Sequence, residues 1–276
     1  MKPFDTIGII GTGLIGGSLG LAIKRAGLAR RVIGVSRHAD SITRARRMKA
    51  IDNGSLNLSI MGDADLVILA APVETIIRIA DKLKAVLKPG CIVIDTGSTK
   101  EAIVRALSRT FPLFVGCHPI AGSEKRGIAN ARADLFKGAL CIITPVRTTD
   151  RAALKKVKRF FETLGARTCT LTPVAHDTIL ASVSHMPHCL AFALINAVPA
   201  AWLAYAGSGL RDMTRIAASD SKVWEEILCT NKSAIVRAIG AMERQLRAFK
   251  LAIARADTKT LRRLLVQAQQ KRQRLA

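Results

Sequence analysis

The stretch Ile7 to Gly20, IGIIGTGLIGGSLG, constrains the fold of this chain more than any other part of the sequence. An apolar run ends at Gly11, and helix-forming residues follow Gly16. A strand that enters a helix through G-x-G-x-x-G is typical of dinucleotide-binding folds. Gly11 allows a sharp reversal of the chain, Gly13 lets the backbone approach a pyrophosphate, and Gly16 lets the helix pack closely on the strand.

The helix that starts here is predicted to bind phosphate groups. Its first N–H groups have no partner inside the helix and carry a partial positive charge. The predicted cofactor-binding backbone comprises Gly11, Gly13, Leu14, Ile15 and Gly16. The alternative is a glycine-rich turn without a ligand.

Further apolar segments alternate with helical segments along the first two thirds of the chain. The predicted strands cover residues 31–36, 65–73, 91–95, 114–122, 139–144 and 167–171. Strands that alternate with helices favour an α/β fold with a Rossmann-like, mostly parallel, doubly wound sheet.

The pattern changes at Thr172, after which no strand is predicted. Thr172 can cap a helix and Pro173 can occupy its first turn. We expect helices over 173–205, 209–217 and 219–255 and after Asp257, with breaks near Pro187 and Pro199. This places a dinucleotide-binding domain at 1–172 and an all-helical domain at 173–276.

The end of the second predicted strand indicates which nicotinamide cofactor binds. An acidic residue normally holds the ribose 2′-hydroxyl of NAD at this position. Here the chain has Ser36, Arg37 and His38. A hydroxyl and a guanidinium can bind a 2′-phosphate, so we expect NADP, with NAD as the alternative. Ala71, Pro72 and Val73 form a small-residue turn after the third predicted strand, against which the nicotinamide half can lie.

Charge and cysteine content limit the class of partner and compartment. Lys and Arg total 43 against 20 Asp and Glu, a net charge of +23, which favours anionic ligands. No basic motif interleaved with aromatic residues is present, so we expect a basic solvated surface and no specific nucleic-acid partner. The six cysteines include no C-x-x-C pair, as expected for reduced thiols of a cytoplasmic protein.

The segment 189–206, CLAFALINAVPAAWLAYA, carries no charge and approaches the length of a membrane span. Asn196 and Pro199 interrupt it. We expect a helix or helix pair that is buried on all sides or at a subunit interface, and the alternative is membrane insertion.

Ser98 follows the predicted strand 91–95, and His118 lies in the segment 114–122, which is predicted to be a short strand and a loop. Ligands of open α/β sheets bind beyond the carboxyl ends of the strands, so both side chains should face that crevice. There His118 can accept a proton or a hydrogen bond from a substrate hydroxyl, and Ser98 can orient the imidazole. The alternative is a loop histidine paired to backbone.

Two motifs of the helical half carry further candidate residues. His185 and His188 share a helix face, but no zinc signature accompanies them, so we predict no metal site. Arg215 is suited to bind a carboxylate with two hydrogen bonds.

Together these residues resemble a known family. The segments are GTGLIGGS, DTGSTK, HPIAGSEKRG, His176-Asp177, SHMPH, and DMTRIAASD followed by Trp224. They resemble the prephenate/arogenate dehydrogenases of tyrosine biosynthesis over nearly the whole chain. The resemblance implies oxidative decarboxylation, in which hydride passes to the nicotinamide, carbon dioxide leaves and the ring becomes aromatic.

The resemblance also implies roles for individual residues. His118 resembles the catalytic histidine that hydrogen-bonds the ring hydroxyl, and Ser98 resembles its partner. His188 and Arg215 resemble the residues that contact the substrate and bind its carboxylate. Ser123 and Glu124 are expected at the pocket mouth, and Trp224 is expected to reach in from the other subunit of a homodimer made by the helical domains.

Other functions remain open at this point. Ser36-Arg37 resembles the NADP-using branch of the family, which often prefers arogenate. Another two-domain NAD(P)-dependent hydroxyacid dehydrogenase would need a lysine on a helix of the second domain, and SHMPHCLAFAL has none. A non-catalytic NAD(P)-sensing protein would have no need of His118 and Arg215.

Overall fold

The computed structural model describes residues 4–122 and 127–275. They form two compact units, Met1–Asn231 and Lys232–Ala276. The first unit contains one eight-stranded sheet. Its strands are β1 (Phe4–Ile10), β2 (Ala29–Val35), β3 (Asn53–Ser55), β4 (Leu66–Leu69), β5 (Ile92–Asp95), β6 (Phe114–Ile120), β7 (Leu140–Thr144) and β8 (Arg167–Thr170).

The strand order is β3-β2-β1-β4-β5-β6-β7-β8. Strands β1 to β6 are parallel, β7 is antiparallel to β6, and β8 is parallel to β7. The predicted α/β fold with a mostly parallel sheet is confirmed. The order reverses between β1 and β4, where folds of this type bind ligands.

Twelve α-helices occur in the described residues. They are α1 (Leu14–Arg25), α2 (Ala39–Arg47), α3 (Val73–Arg78), α4 (Ala80–Lys84), α5 (Glu101–Thr110), α6 (Arg151–Thr163), α7 (Pro173–Leu180), α8 (Met186–Ala197), α9 (Ser208–Thr214), α10 (Ser221–Thr230), α11 (Lys232–Ala254) and α12 (Thr258–Gln273). All described elements after Thr172 are helical, as predicted. Thr172 caps α7, because its hydroxyl accepts the Ala175 N–H at 3.1 Å.

Both faces of the sheet are buried, as the near-continuous apolar strands require. In β4, Leu66 and Ile68 join one core while Val67 and Leu69 join the other. The first core also contains Phe160 of α6, which is fully buried.

The helical part differs from the sequence prediction in two places. The helix expected over 219–255 is divided at Asn231 into α10 and α11. The break expected near Pro187 takes the form of a turn of π-helix, Ala181–His185, that joins α7 to α8. Pro187 lacks the N–H that would bond one turn back, and a π-turn accommodates the unpaired carbonyl. Helix α8 then ends at Ala197, before Pro199.

The described residues of this chain do not bury the apolar segment 189–206 on all sides. Only Ala191 of α8 is buried, and Trp202 and Tyr205 are 64% and 87% exposed. By length and composition the helical run Pro173–Ala197 could cross a bilayer, and 22% of its most apolar 18-residue window is buried. The described chain packs little against this surface, which leaves burial by a second subunit as the remaining part of the prediction.

Candidate active site

The glycine turn has the geometry that dinucleotide binding requires. Gly11 has φ +97°, and a Cβ there would lie 2.2 Å from the Ala70 carbonyl oxygen. A Cβ on Gly16 would lie 1.9 Å from the carbonyl oxygen of Gly11. Both positions therefore exclude a side chain, one by conformation and contact, the other by contact.

Gly13 differs from these two glycines, because a Cβ there would meet no atom of the described residues within 4 Å. It is the N-cap of α1 and gives that helix no side-chain hydrogen bond. The first N–H groups of α1 have no partner inside the helix, and the position of a Gly13 side chain beside them is open. An open approach beside a helix N-terminus fits the pyrophosphate of a dinucleotide.

The other predicted cofactor residues lie at the same edge of the sheet. Ser36 follows β2 and is half-buried, while Arg37 and His38 are exposed. The turn after β4 leads into α3, whose N-cap is Pro72, with Ala71 half-buried and Val73 buried.

His118 lies near the end of β6 and is the first member of a hydrogen-bonded chain. Its Nδ1 is 2.8 Å from Nε2 of His176. Nδ1 of His176 is 2.7 Å from Oδ1 of Asp177. His176 and Asp177 are buried in the first two turns of α7. We call these three residues the histidine relay.

The relay determines which nitrogen of His118 can act as a base. Burial lowers the pKa of His176, although its bond to Asp177 opposes this, so its ring is neutral at neutral pH. A carboxylate only accepts, so Nδ1 of His176 donates to Asp177 and its Nε2 accepts from His118. His118 therefore has its proton on Nδ1 and its lone pair on Nε2.

The pKa of His118 is well below its usual value of 6.5. Burial is the largest cause, and the neighbouring His176, Lys100 and His185 add to it. The imidazole is therefore neutral at neutral pH, as a proton acceptor must be.

Asp177 is fixed on several sides. Its carboxylate accepts the backbone N–H groups of Lys100 and Glu101 at 2.8 and 2.9 Å, at the start of α5. Its carbonyl oxygen accepts a hydrogen bond from the Asn231 amide at 2.8 Å. Burial raises the pKa of Asp177, but the bonds from His176 and the two N–H groups outweigh it, and the pKa is lowered. Asp177 therefore stays ionised.

Ser98 lies on the loop between β5 and α5 and is half-buried. Among the described residues no hydrogen bond joins it to His118, whose Nδ1 is held by His176 instead. The loop is anchored by a fully buried ion pair between Lys100 and Asp95. Asp95 also accepts the backbone N–H groups of Gly97 and Cys117, so the two segments that carry Ser98 and His118 are tied together.

Trp224 of α10 stacks on His188 of the same chain, with ring centroids 3.6 Å apart and planes at 20°. Trp224 therefore has a ring partner in its own chain, and its contribution to the site of a second subunit stays a prediction. Trp224 is 9% exposed, and its indole packs against residues of its own chain. Nδ1 of His188 donates to the Ser184 carbonyl at 2.9 Å, which directs Nε2 away from the helix backbone.

His185 is buried beside this pair and is not placed as a metal ligand. Its Nδ1 accepts from the Asn231 amide at 3.1 Å. Burial lowers its pKa to about 4. Within residues 4–122 and 127–275, no group of three or more His, Cys, Asp or Glu is arranged to hold a metal ion.

Arg215 begins the short 3-10 helix Arg215–Ala218 and is exposed. Burial is the main cause of the lowered pKa of His188, and the charge of Arg215 contributes. A cation therefore lies close to the His188–Trp224 pair. Ser123 and Glu124, the other predicted substrate residues, lie outside the described residues.

Sequence reasoning missed the roles of His176, Asp177 and Asn231. His176 lies 58 residues from His118, so spacing does not reveal their contact. The available signal was the polar pair His176-Asp177 immediately after a capped helix start, where buried ionisable side chains need partners.

Two family models match the chain. The prephenate dehydrogenase nucleotide-binding domain matches residues 19–170, and the prephenate dehydrogenase dimerization domain matches residues 172–267. The cyclohexadienyl dehydrogenase of Zymomonas mobilis is 32% identical over 93% of this chain and 91% of that protein.

Solved structures agree with these matches. Prephenate dehydrogenase from A. aeolicus, in complex with hydroxyphenyl propionate and NAD+, has a TM-score of 0.94 and 34% identity over 99% of this chain and 98% of that chain. Synechocystis arogenate dehydrogenase has a TM-score of 0.85 and 30% identity over 98% of this chain and 100% of that chain. The glycine turn, the helical second half and these likenesses together show that the chain belongs to the prephenate dehydrogenase family.

Proposed function

We propose that this protein catalyses the oxidative decarboxylation of prephenate, arogenate or both with a nicotinamide cofactor. The observation that carries the proposal is the histidine relay, which leaves the Nε2 lone pair of His118 at the edge of the sheet where the glycine turn opens. The named relatives act as prephenate, cyclohexadienyl and arogenate dehydrogenases, which agrees with this chemistry.

The glycine turn would hold the pyrophosphate, through Gly11, Gly13 and the first N–H groups of Leu14, Ile15 and Gly16. The turn formed by Ala71, Pro72 and Val73 would hold the nicotinamide half. When bound, the cofactor supplies a hydride acceptor. Nε2 of His118 accepts the hydrogen bond from the substrate hydroxyl, and Ser98 lines the same crevice. Loss of the ring carboxylate as carbon dioxide makes the ring aromatic, so no metal is required.

The substrate side chain and ring would contact the helical half. The stacked rings of His188 and Trp224 form an aromatic wall of the proposed substrate pocket, suited to a ring. Arg215 binds a substrate carboxylate through two charge-assisted hydrogen bonds. The proposal that Ser123 and Glu124 contribute to the pocket mouth rests on the sequence alone. A basic protein with net charge +23 attracts these anionic ligands from solution.

NADP is the proposed cofactor in preference to NAD. The half-buried Ser36 replaces the carboxylate that would repel a 2′-phosphate, and the exposed Arg37 and His38 follow it. The A. aeolicus relative binds NAD+, so the choice between the two depends on these three residues.

The boundary at Thr172 is proposed to separate cofactor binding (1–172) from substrate binding and dimerisation (173–276). A homodimer through the helical domain would cover the exposed apolar residues of the 173–206 segment, among them Val183, Trp202 and Tyr205. We propose a cytoplasmic location, which the six free thiols support, and neither a membrane nor a specific nucleic-acid partner.

The test is the absorbance of the reduced cofactor with purified protein, given prephenate or arogenate, each with NAD or NADP. We expect turnover with at least one substrate and a higher kcat/KM with NADP. A higher kcat/KM with NAD contradicts the role of Ser36 and Arg37. No turnover in any combination, with cofactor still bound, contradicts the proposed reaction and favours another hydroxyacid dehydrogenase or a cofactor sensor.

A further inference from the structure

Helix α10 contacts three separate parts of the site. Trp224 stacks on His188, and the Thr230 hydroxyl lies 3.0 Å from the hydroxyl of Thr99 on the Ser98 loop. Between these two residues, Glu226 points towards α3. One helix of ten residues thus reaches the substrate wall, the Ser98 loop and the proposed cofactor turn.

The contact between Glu226 and α3 is a helix cap supplied from a distant part of the chain. Oε1 of Glu226 accepts the backbone N–H of Glu74 at 2.5 Å, across 152 residues of sequence. Glu74 lies in the first turn of α3, and the N-cap residue Pro72 makes no side-chain cap. Glu226 therefore satisfies a donor that the local sequence leaves without a side-chain partner.

The same contact distinguishes two helix starts at the ligand edge of the sheet. A carboxylate already occupies the start of α3, where it interacts favourably with the helix dipole. Among residues 4–122 and 127–275, no such group lies at the start of α1, and a Cβ on Gly13 would meet no atom within 4 Å. An incoming dinucleotide phosphate is thereby directed to α1, while α3 serves as a fixed wall.

We propose that Glu226 is a positioning residue that couples the cofactor turn 71–73 to the Trp224 wall of the substrate pocket. The inference rests on the proposed function, because it takes that turn as cofactor-binding and that wall as substrate-binding. Order imposed on α3 by the cofactor passes through Glu226 to α10, which also carries Trp224. The two side chains are two residues apart and point to different sides of the helix, so the coupling passes through α10 as a whole.

The experiment measures the Kd of NADPH and of NADH by fluorescence, with and without hydroxyphenyl propionate. The ratio of the two Kd values is the coupling factor between the sites. The variants are Glu226→Ala, which removes the cap, and Glu226→Gln, which retains an acceptor oxygen. Glu225→Ala is the matched control, since Glu225 is an exposed neighbour on the same helix.

We expect a coupling factor of about five-fold or more in the unmodified protein and about one-fold in Glu226→Ala. Loss of the cap should also raise the cofactor Kd by about two- to five-fold. The coupling factor and the cofactor Kd of Glu226→Gln should stay within about two-fold of those of the unmodified protein. Both quantities should be unchanged in Glu225→Ala.

A coupling factor near one in the unmodified protein would overturn the proposal. So would a Glu226→Ala variant that unfolds at lower temperature yet keeps its coupling factor, because that behaviour belongs to a purely structural cap. The cofactor Kd is measured without substrate turnover. If the protein oxidises neither prephenate nor arogenate but shows the expected change in Kd, the proposed reaction is refuted and the proposed role of Glu226 is supported.

Discussion

The glycine turn and the histidine relay lie at the same edge of the sheet, and their hydrogen bonding is opposite. At the turn, the first N–H groups of α1 have no side-chain cap, and the position of a Gly13 side chain is open among the described residues. In the relay, each carboxylate and imidazole between His118 and Asp177 has a defined partner, and Asp177 accepts two further N–H groups. The glycine turn binds through N–H donors that have no partner inside the helix. The relay acts through the Nε2 lone pair of His118, which the hydrogen bonds of the relay leave free.

This difference predicts different sensitivities. A change in protonation should affect cofactor binding at the glycine turn little, because the turn contributes backbone geometry and open space. The relay is buried, so each change in protonation or donor direction is passed to the next group and is poorly screened by water. Substitutions and pH should therefore affect the two regions separately.

The largest effect is expected from His118→Asn, which removes the lone pair at the end of the relay. Loss of a positioned base lowers kcat by about 10²- to 10⁴-fold. The glycine turn is untouched, so the Kd of the cofactor should remain within about two-fold, a difference of under 1 kcal/mol. Initial rates and cofactor titration check both parts. An unchanged kcat would remove His118 from the mechanism.

Asp177→Asn tests the direction of the relay. The amide can keep its oxygen on the Glu101 N–H and turn its NH₂ towards His176, in the place of the oxygen that now accepts both the Lys100 N–H and the His176 N–H. His176 would then carry its proton on Nε2 and donate to His118, which moves the His118 proton onto the catalytic nitrogen. We expect kcat to fall by about 10²-fold, within the range for loss of a general base. A normal kcat with a lowered melting temperature would show that Asp177 serves only as a cap.

Acid should destabilise the relay region through the neighbouring His185. Its pKa is about 4 when folded and near 6.5 as a free side chain, so the unfolded chain binds the proton first. Stability from this group is full above about pH 6.5 and is lost as pH falls to about 4, a total of about 3 kcal/mol. Urea unfolding at several pH values checks this, with His185→Gln as the less acid-sensitive comparison.

Two alanine substitutions in the glycine turn should separate binding from folding. A Cβ on Gly13 meets nothing within 4 Å in the part of the chain that the structure describes, so Gly13→Ala should leave stability nearly unchanged and raise the cofactor Kd by about ten-fold. A Cβ on Gly16 meets the Gly11 carbonyl, so Gly16→Ala should lower the free energy of unfolding by about 1–3 kcal/mol. Equal effects on both quantities in both variants would contradict this division.

Most of the fold was predictable because its signals are local. The glycine turn, the apolar strands and the Thr172 cap each depend on a few adjacent residues. Strand β3, Asn53–Ser55, was missed because it has no apolar residue and pairs only at the sheet edge. The division at Asn231 was missed because its side chain bonds to Asp177 and His185, contacts that are absent from a helical pattern.

The site was predictable only in part, for the same reason. Strand-end logic located His118 and Ser98, but the partner of His118 proved to be His176 on another element. The stacking of Trp224 on His188 of the same chain was not predicted, because sequence does not reveal which surface an aromatic ring packs against. The positions of Ser36, Arg37, His38 and Arg215 are now known, while their roles stay predictions.

The π-turn at 181–185 sets the rotational phase of the long helical run from α7 to α8. In a regular α-helix, His176 and His185 are nine residues apart and would face nearly opposite sides, since each residue turns the helix by about 100°. The wider turn delays this rotation, so both rings remain buried on the side of the site. Removing one residue from this turn would leave the composition of the helix almost unchanged, yet it would rotate everything after it out of alignment. The π-turn thus adjusts the rotation of the helix, so that residues before it and residues after it both face the site.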